Sequence, residues 1–264
     1  MKSLNEYMDK NNLDTYSDPE YVRSYNISLN NTKRARSLQN PEIAIFKDIE
    51  SNIRNKKILD IGVGGGRTTI HLTKLTNDYI GIDYSEMMIK DCKKEFPNID
   101  FRVCDARDLS IFSNDTFDFV LFSFGGIDHC SDNDRLLILR EIHRILKPHG
   151  YFAFSTHNRD CKIFNKFVIM KRKTIIETIY HNIKSIKNYL RNKKYCKDFG
   201  SYSIINHFGL DYSLLLYAIR LKDQVNQLSA AGFMGDVKAY DFEGDIITDS
   251  SKHMWIYYCV GKQA

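Results

Sequence analysis

Apolar positions along this 264-residue chain follow two periods, and the switching between them is the first guide to its architecture. Short apolar runs at 57–61, 79–82, 99–103, 117–122 and 151–155 alternate with helical spacing at 68–75, 85–95 and 134–146. Strands that alternate with helices predict a parallel sheet covered on both faces. Upstream, Pro41 opens a helix with Ile43, Ile45, Phe46, Ile49 and Ile53 at helical spacing and Asn40 as its expected N-cap. Lys147-Pro148-His149-Gly150 stops a helix and feeds the fifth strand. Downstream, 211–219 and 221–231 read as helices, and 236–240 and 253–260 as closing strands.

Residues 158–198 break the alternation. Their period is helical, with Phe164, Phe167, Val168, Ile175, Ile176, Ile179, Ile183, Ile186 and Leu190 on one stripe, the pattern of a helix that buries one face. The expected organisation is an N-terminal lid at 1–40, a core at 41–157, a helical cap inserted at 158–205, and completion of the sheet at 206–264.

Composition narrows the class. With 43% apolar and 27% charged residues, 16 Phe and 16 Tyr, the chain is globular rather than disordered. No apolar run approaches the ~20 residues of a membrane span, and the polar start lacks a secretory core. Six scattered cysteines without a CxxC pair argue against zinc or disulfides and for a cytoplasmic setting. The net charge of +5 conceals an asymmetry: twelve Lys/Arg in 158–198 face Asp160, Glu177 and Asp198, so that segment carries +9 and the rest −4.

The chemistry begins at Asp60-Ile61-Gly62-Val63-Gly64-Gly65-Gly66-Arg67, between the first strand and its helix. Glycines there permit a sharp turn and let a ligand lie against bare amides at a helix N-terminus. An ordinary βα turn is the bland alternative. Arg67 stands where the dinucleotide fingerprint needs glycine, which weakens a pyrophosphate-binding reading.

That acid-x-Gly-x-Gly-x-Gly pattern resembles the first motif of the class I S-adenosylmethionine-dependent methyltransferases. The resemblance continues at Gly81-Ile82-Asp83-Tyr84-Ser85, Cys104-Asp105-Ala106-Arg107, the strand Phe117-Asp118-Phe119-Val120-Leu121-Phe122 and Leu146-Lys147-Pro148-His149-Gly150-Tyr151-Phe152. It covers roughly 40–160 and 220–262. It implies a Rossmann-like α/β fold with a seven-stranded, mostly parallel sheet, and S-adenosylmethionine as cofactor. Asp60, Gly62, Gly64, Gly66 and Ser123 are then expected cofactor contacts. Asp83 would grip the ribose hydroxyls, Asp105 would face the adenine amino group, and Tyr84 and Ala106 would wall the adenine slot.

The acceptor side is expected beyond strand four, at Ser123-Phe124-Gly125-Gly126-Ile127-Asp128-His129. His129 is the leading general base, against a purely structural His that caps the next helix; Asp128 is its orienting partner, the base itself, or a ligand of the cofactor's amino group. His157-Asn158-Arg159-Asp160 departs from the Asp-Asn pair of a magnesium site, so no metal is expected. Asn-Pro-Pro-Tyr is absent after strand four, which counts against nucleobase amines. Tyr21 and Tyr25, four residues apart, are expected to close over the methyl group, with Tyr25 beside the chemistry. His157, Tyr217 and Arg220 are expected substrate contacts, with His207 and Tyr212 on weaker grounds. The basic cap reads as a solvated face, as a site for an anionic acceptor, or as a surface for RNA or a membrane. The resulting expectation is an enzyme that methylates O or N of a small anionic metabolite, phosphorylated or nucleotide-linked, in surface-glycan or secondary-metabolite biosynthesis. RNA methylation, a non-catalytic cofactor-binding module and a nicotinamide-dependent reductase are the alternatives.

Overall fold

The computed structural model describes residues 4–23, 36–249 and 251–264. Its centre is a run of parallel strands, β1 (Ile58–Ile61), β2 (Tyr79–Asp83), β3 (Asp100–Val103), β4 (Phe117–Phe122) and β5 (Leu146–Asn158), in the spatial order β3-β2-β1-β4-β5. β11 (Trp255–Gly261) lies antiparallel on β5, β9 (Val237–Tyr240) pairs with β11, and the short β10 (Ile246–Ile247) closes that edge. These seven principal strands match the expected sheet.

Strand composition explains the two-sided burial. Along β1, β4, β5 and β11 successive side chains alternate between two cores. Leu59, Val120, Phe152 and Tyr258 pack on one face, and Ile58, Phe119, Ala153 and Tyr257 on the other. Helices α2 (Asn40–Ile53), α3 (Thr69–Leu72), α4 (Glu86–Glu95), α5 (Asp132–Ile145) and α7 (Leu221–Ala230) complete the layers. The cap of α2 falls one residue earlier than expected: Gln39 is the N-cap, and its amide donates to Glu42 Oε2 at 2.7 Å. Ser131 caps α5 by accepting from the Asp134 amide, so His129 does not hold that position. The Lys147–Gly150 punctuation is a bulge: Phe117 pairs with Leu146 and Phe119 with Tyr151, and His149 takes φ 63° to let the intervening residues loop out.

Two expectations fail in the cap. Residues 211–219 are not a helix; Leu215–Ile219 is a fully buried strand, β8, antiparallel to β7 (Tyr202–Asn206), which pairs in turn with β6 (Lys197–Asp198). A short apolar run fits a helix or a doubly buried strand equally well, and here the neighbouring strand decides. β8 then joins the end of β5 in parallel, with His157 opposite Ala218 and Asn158 opposite Ile219. Only Ile175–Lys193 (α6) of 158–198 forms a long helix, and its apolar stripe faces outward. Helix α1 (Leu4–Tyr16), which the sequence did not announce, buries Met8 against Ile204, Leu215, Tyr217 and Ile219 of this second sheet. Among the described residues, no helix is long and apolar enough to cross a membrane.

Candidate active site

Strand order reverses between β1 and β4, so the loops beyond the carboxyl ends of the strands diverge and leave a crevice. A cavity of about 660 Å³ lies there, within the ~300–1,000 Å³ range of small-molecule sites. Gly62 and Gly64 from the β1 loop, Asp83 and Tyr84 from β2, and Asp105 and Ala106 beyond β3 form one end of its wall. Phe124, His129, His157, His207 and Trp255 line another part of it, and Tyr16 stands between, its ring 6.3 Å from that of Tyr84 and 4.9 Å from that of His129, with Tyr21 beside it.

The glycine loop is fixed from several sides. Gly62 and Gly64 take φ 67° and 51°, a left-handed backbone that glycine adopts without steric cost, and the Gly62 amide donates to the Ile82 carbonyl at 2.8 Å. Gly66 does not reach the cavity; a Cβ there would stand 2.6 Å from the Phe96 ring, so its role is close packing of the loop on α4. Asp60 is likewise behind the wall. Its Oδ2 accepts from Thr68 Oγ1 at 2.6 Å and Tyr79 OH at 2.9 Å, and burial pushes its carboxyl up to about 7. The departure from glycine at Arg67 also has a reason. Its guanidinium makes a bidentate pair with buried Glu42 at 2.6 and 2.7 Å, tying the loop to α2, and it stands 5.3 Å from the Phe124 ring centroid. Ser123 Oγ donates to the same Glu42 while its residue lines the cavity.

Asp83 is buried and raised in pKa by desolvation, against the pull of two backbone donors, Ser85 at 2.9 Å and Gly64 at 3.0 Å. Each carboxylate oxygen keeps a second acceptor direction, as a vicinal diol requires. Asp105 is held by Arg107 through Nε and a terminal nitrogen; burial raises its carboxyl, but the guanidinium and the Arg107 amide win and lower it.

At the far end, Asp128 belongs to His157 rather than to His129. Asp128 Oδ2 is 2.6 Å from His157 Nδ1 and accepts the His157 amide at 2.8 Å; Oδ1 accepts from Thr156 Oγ1 at 2.5 Å and from Arg135 at 2.6 Å. Burial alone would raise this carboxyl, yet Arg135, His157 and Thr156 hold it below the ordinary carboxylate range. An ionised Asp128 only accepts, so His157 carries its proton on Nδ1. Its Nε2 is buried in the wall with no hydrogen-bond partner. Arg135, fully buried over the Tyr217 ring, also donates to Gln224, Gln227, Thr156 and the Ile127 carbonyl, so its charge is completely solvated by protein.

His129 turns to the lid instead: its Nε2 lies 3.2 Å from Tyr16 OH, and burial lowers its pKa to about 4. His207, also in the wall, is lowered by burial to about 3. Tyr21 lines the cavity as expected, edge-on to Tyr16, while Tyr25 lies outside the described residues. Tyr217 and Arg220 do not reach the cavity: Tyr217 OH donates to Asp132 at 2.6 Å, and Arg220 pairs with Asp160 at 3.1 Å. Tyr212 is used in the cap, where its OH accepts from the Val168 amide. None of the twelve cap Lys/Arg belongs to the cavity wall, whose cations are Lys10 and the Asp105-bound Arg107. The sequence placed Tyr16 in the lid run and Phe124 in the loop after strand four without a role for either, and passed over Trp255 and Arg135; tertiary pairing assembles them. Among the described residues, the one cluster with metal-ligand geometry is Asp241, Glu243 and His253, away from this cavity.

Known proteins share these features. A methyltransferase-domain family model matches residues 58–150. An uncharacterised protein of Methanocaldococcus jannaschii is 33% identical over 52% of this chain and 47% of its own length. The ubiquinone biosynthesis O-methyltransferase of Pseudomonas syringae pv. tomato is 25% identical over 71% of this chain and 82% of its own. Against the first of these, the chain spans about half the relative's length. The fold matches the Burkholderia thailandensis 1,6-didemethyltoxoflavin-N1-methyltransferase, solved with S-adenosylhomocysteine, at TM-score 0.60 and 15% identity over 100% of this chain and 92% of that one. A Clostridium acetobutylicum S-adenosylmethionine-dependent methyltransferase gives TM-score 0.60 at 14% identity, covering 89% and 96%. Residues 58–150 are thus similar to a methyltransferase domain, and the fold is that of the S-adenosylmethionine-dependent methyltransferases.

Proposed function

We propose that this chain methylates an oxygen or nitrogen of a small, largely apolar acceptor, with His157 as general base. One observation carries the reading: the glycine loop and Asp83 share a continuous cavity with the unpartnered Nε2 of an Asp128-oriented histidine. The lining suits the cofactor, since Gly62 and Gly64, lacking a Cβ, would let it lie close to the loop backbone, and the Asp83 carboxylate and the Asp105–Ala106 end would hold a ribose and an adenine. When bound, S-adenosylmethionine supplies a sulfonium methyl group that needs no further activation.

The protein's work is then positioning and proton removal. Orientation of the reacting atoms is worth at most about 7–11 kcal/mol. Tyr16, Tyr21, Phe124 and Trp255 build an aromatic slot for the acceptor and exclude water from it. His157 Nε2 receives the acceptor proton, and Asp128 stabilises the imidazolium that forms, a contribution of roughly two to four decades in rate. The expected anionic acceptor loses the support of the basic segment, because none of that segment's Lys/Arg belongs to the cavity wall. Among the similar proteins an O-methyltransferase and an N1-methyltransferase both stand, so either nucleophile fits the family.

The test is transfer of labelled methyl from S-adenosylmethionine to a panel of apolar phenols and amines, set beside phosphorylated sugars, nucleotide sugars and total RNA. Apolar acceptors are expected to take the label. Label confined to the phosphorylated compounds or to RNA overturns the acceptor class, and no S-adenosylhomocysteine binding by calorimetry overturns the cofactor assignment.

A further inference from the structure

Helix α6 presents to solvent the face that helices ordinarily bury. Its inward side chains are polar: Asn188 donates to the Asp211 carbonyl at 2.9 Å, Asn192 to the Tyr212 carbonyl at 3.0 Å, and His181 Nδ1 lies 2.7 Å from the Asp211 carboxylate. Its outward stripe consists of Ile175, Ile176, Ile179, Ile183, Ile186 and Leu190, which are 48–80% exposed. Among the described residues nothing covers it. A stripe of five isoleucines and a leucine, ~22 Å long at ~1.5 Å per residue, is a large apolar surface to leave in water.

The charge beside the stripe identifies what would cover it. Lys184, Lys187 and Arg191 run along one flank, Lys171, Arg172 and Lys173 precede the helix, and Lys193 and Lys194 end it. We propose that α6 is an interfacial anchor that lies in the headgroup layer of an anionic phospholipid bilayer, with its isoleucines at the acyl boundary and its basic side chains on the lipid phosphates. An amphipathic helix with an aliphatic face and a Lys/Arg flank partitions in this way, and apolar burial and anionic attraction add. A second copy docked stripe to stripe would bring two +9 caps together, a repulsion that a bilayer converts to attraction. Single-stranded RNA would need stacking platforms, and this stripe is aliphatic.

The position of α6 connects the anchor with the cavity. The loop it holds contributes Gly209, Leu210 and Leu214 to the cavity wall. Within it Leu210, Asp211 and Tyr212 take φ of 51°, 54° and 58°, three consecutive left-handed residues without a glycine, and the α6 side chains bond to the latter two. One loop therefore separates the bilayer-facing helix from the acceptor end.

The experiment is flotation of the intact chain with vesicles of phosphatidylcholine alone and of phosphatidylcholine and phosphatidylglycerol in equal parts. Binding is expected only to the anionic vesicles and is expected to fall in high salt. Lys187→Gln is expected to lower partitioning about fivefold, and the double variant Ile179→Glu/Ile183→Glu to abolish it. These side chains are exposed, so thermal melting and S-adenosylhomocysteine affinity are expected to stay unchanged, which separates anchoring from folding and from the methyl-transfer site. Three results would each overturn the anchor: no binding to either vesicle, undiminished binding of the double isoleucine variant, or a solution dimer that this variant dissociates.

Discussion

Replacing His157 by Ala removes a buried, unpartnered nitrogen of a cavity-wall residue, one whose ring a buried carboxylate orients. The structural cost is bounded. Asp128 keeps Arg135, Thr156 and the residue-157 amide as donors, so it loses one charge-assisted hydrogen bond, about 1.5–3 kcal/mol. An ordinary domain survives that loss out of its ~5–15 kcal/mol. The chemical cost is larger: without a base, kcat is expected to fall about 10²–10⁴-fold, or roughly 2.7–5.4 kcal/mol of barrier. The assay is steady-state methyl transfer to the best acceptor from the panel, alongside calorimetric titration with S-adenosylhomocysteine, whose affinity is expected to stay near wild type. Added imidazole should restore part of the lost rate in His157→Ala, which a merely structural histidine would not allow. His129→Ala serves as control and is expected to raise the acceptor KM through its lost contact with Tyr16. If His157→Ala keeps kcat within about threefold of wild type while His129→Ala loses two decades or more, the base is His129 and the dyad argument fails.

Asp83→Ala should weaken S-adenosylhomocysteine binding at least about 100-fold, since two charge-assisted hydrogen bonds are lost; equal calorimetric affinities would remove Asp83 from the site. Glu42→Ala leaves Arg67 buried beside Phe124 without its carboxylate and should cost about 3–5 kcal/mol in urea denaturation, with the glycine loop loosened in the same step. Gly66→Ala combines φ 76° with a Cβ 2.6 Å from Phe96 and should lower the melting temperature, whereas a neutral result would mean the loop can move off α4. For pH, the folded-state pKa of His129 is depressed to about 4 by burial, so its unfolded form binds the extra proton between about 4 and 6.5. Stability relative to His129→Gln is therefore full above pH ~6.5 and falls as the pH drops toward 4, by at most about 1.4 kcal/mol per unit. A pH-independent difference in urea midpoints would contradict this.

The cofactor half was legible because its determinants are local. A strand, a glycine turn and a helix follow one another over residues 58–72, and an acid stands at or just beyond the end of each of the next two strands, so neighbours along the chain are neighbours in space. The acceptor half depends on pairs that the sequence holds far apart. Asp128 stands next to His129, and adjacency suggested a partnership, but consecutive residues of a tight 3-10 turn, Gly126–His129, point in different directions, and the carboxylate meets β5 instead. Residues 211–219 misled because a run of Leu, Tyr, Ala and Ile satisfies either period until a neighbour such as β7 claims its amides. In α6 the amphipathic pattern was correct and its orientation was not. Periodicity separates two faces; which one turns inward depends on what waits there, and here it is the carbonyls of the 209–214 loop, which accept from Asn188 and Asn192.

The junction at the end of β5 bears on how such enzymes can be recombined. β8 pairs with His157 and Asn158 on one side while β11 pairs with His157 on the other, so the strand end that bears the histidine is clamped between β11 and the β6–β8 extension of the sheet. A cap transplanted from a relative would have to reproduce the His157–Ala218 register as well as fit the cavity, because a slip of one residue would turn the partner side chains to the opposite face. Libraries that vary the inserted segment while preserving residues 157–158 and 218–219 should keep this register and the place of His157 in it.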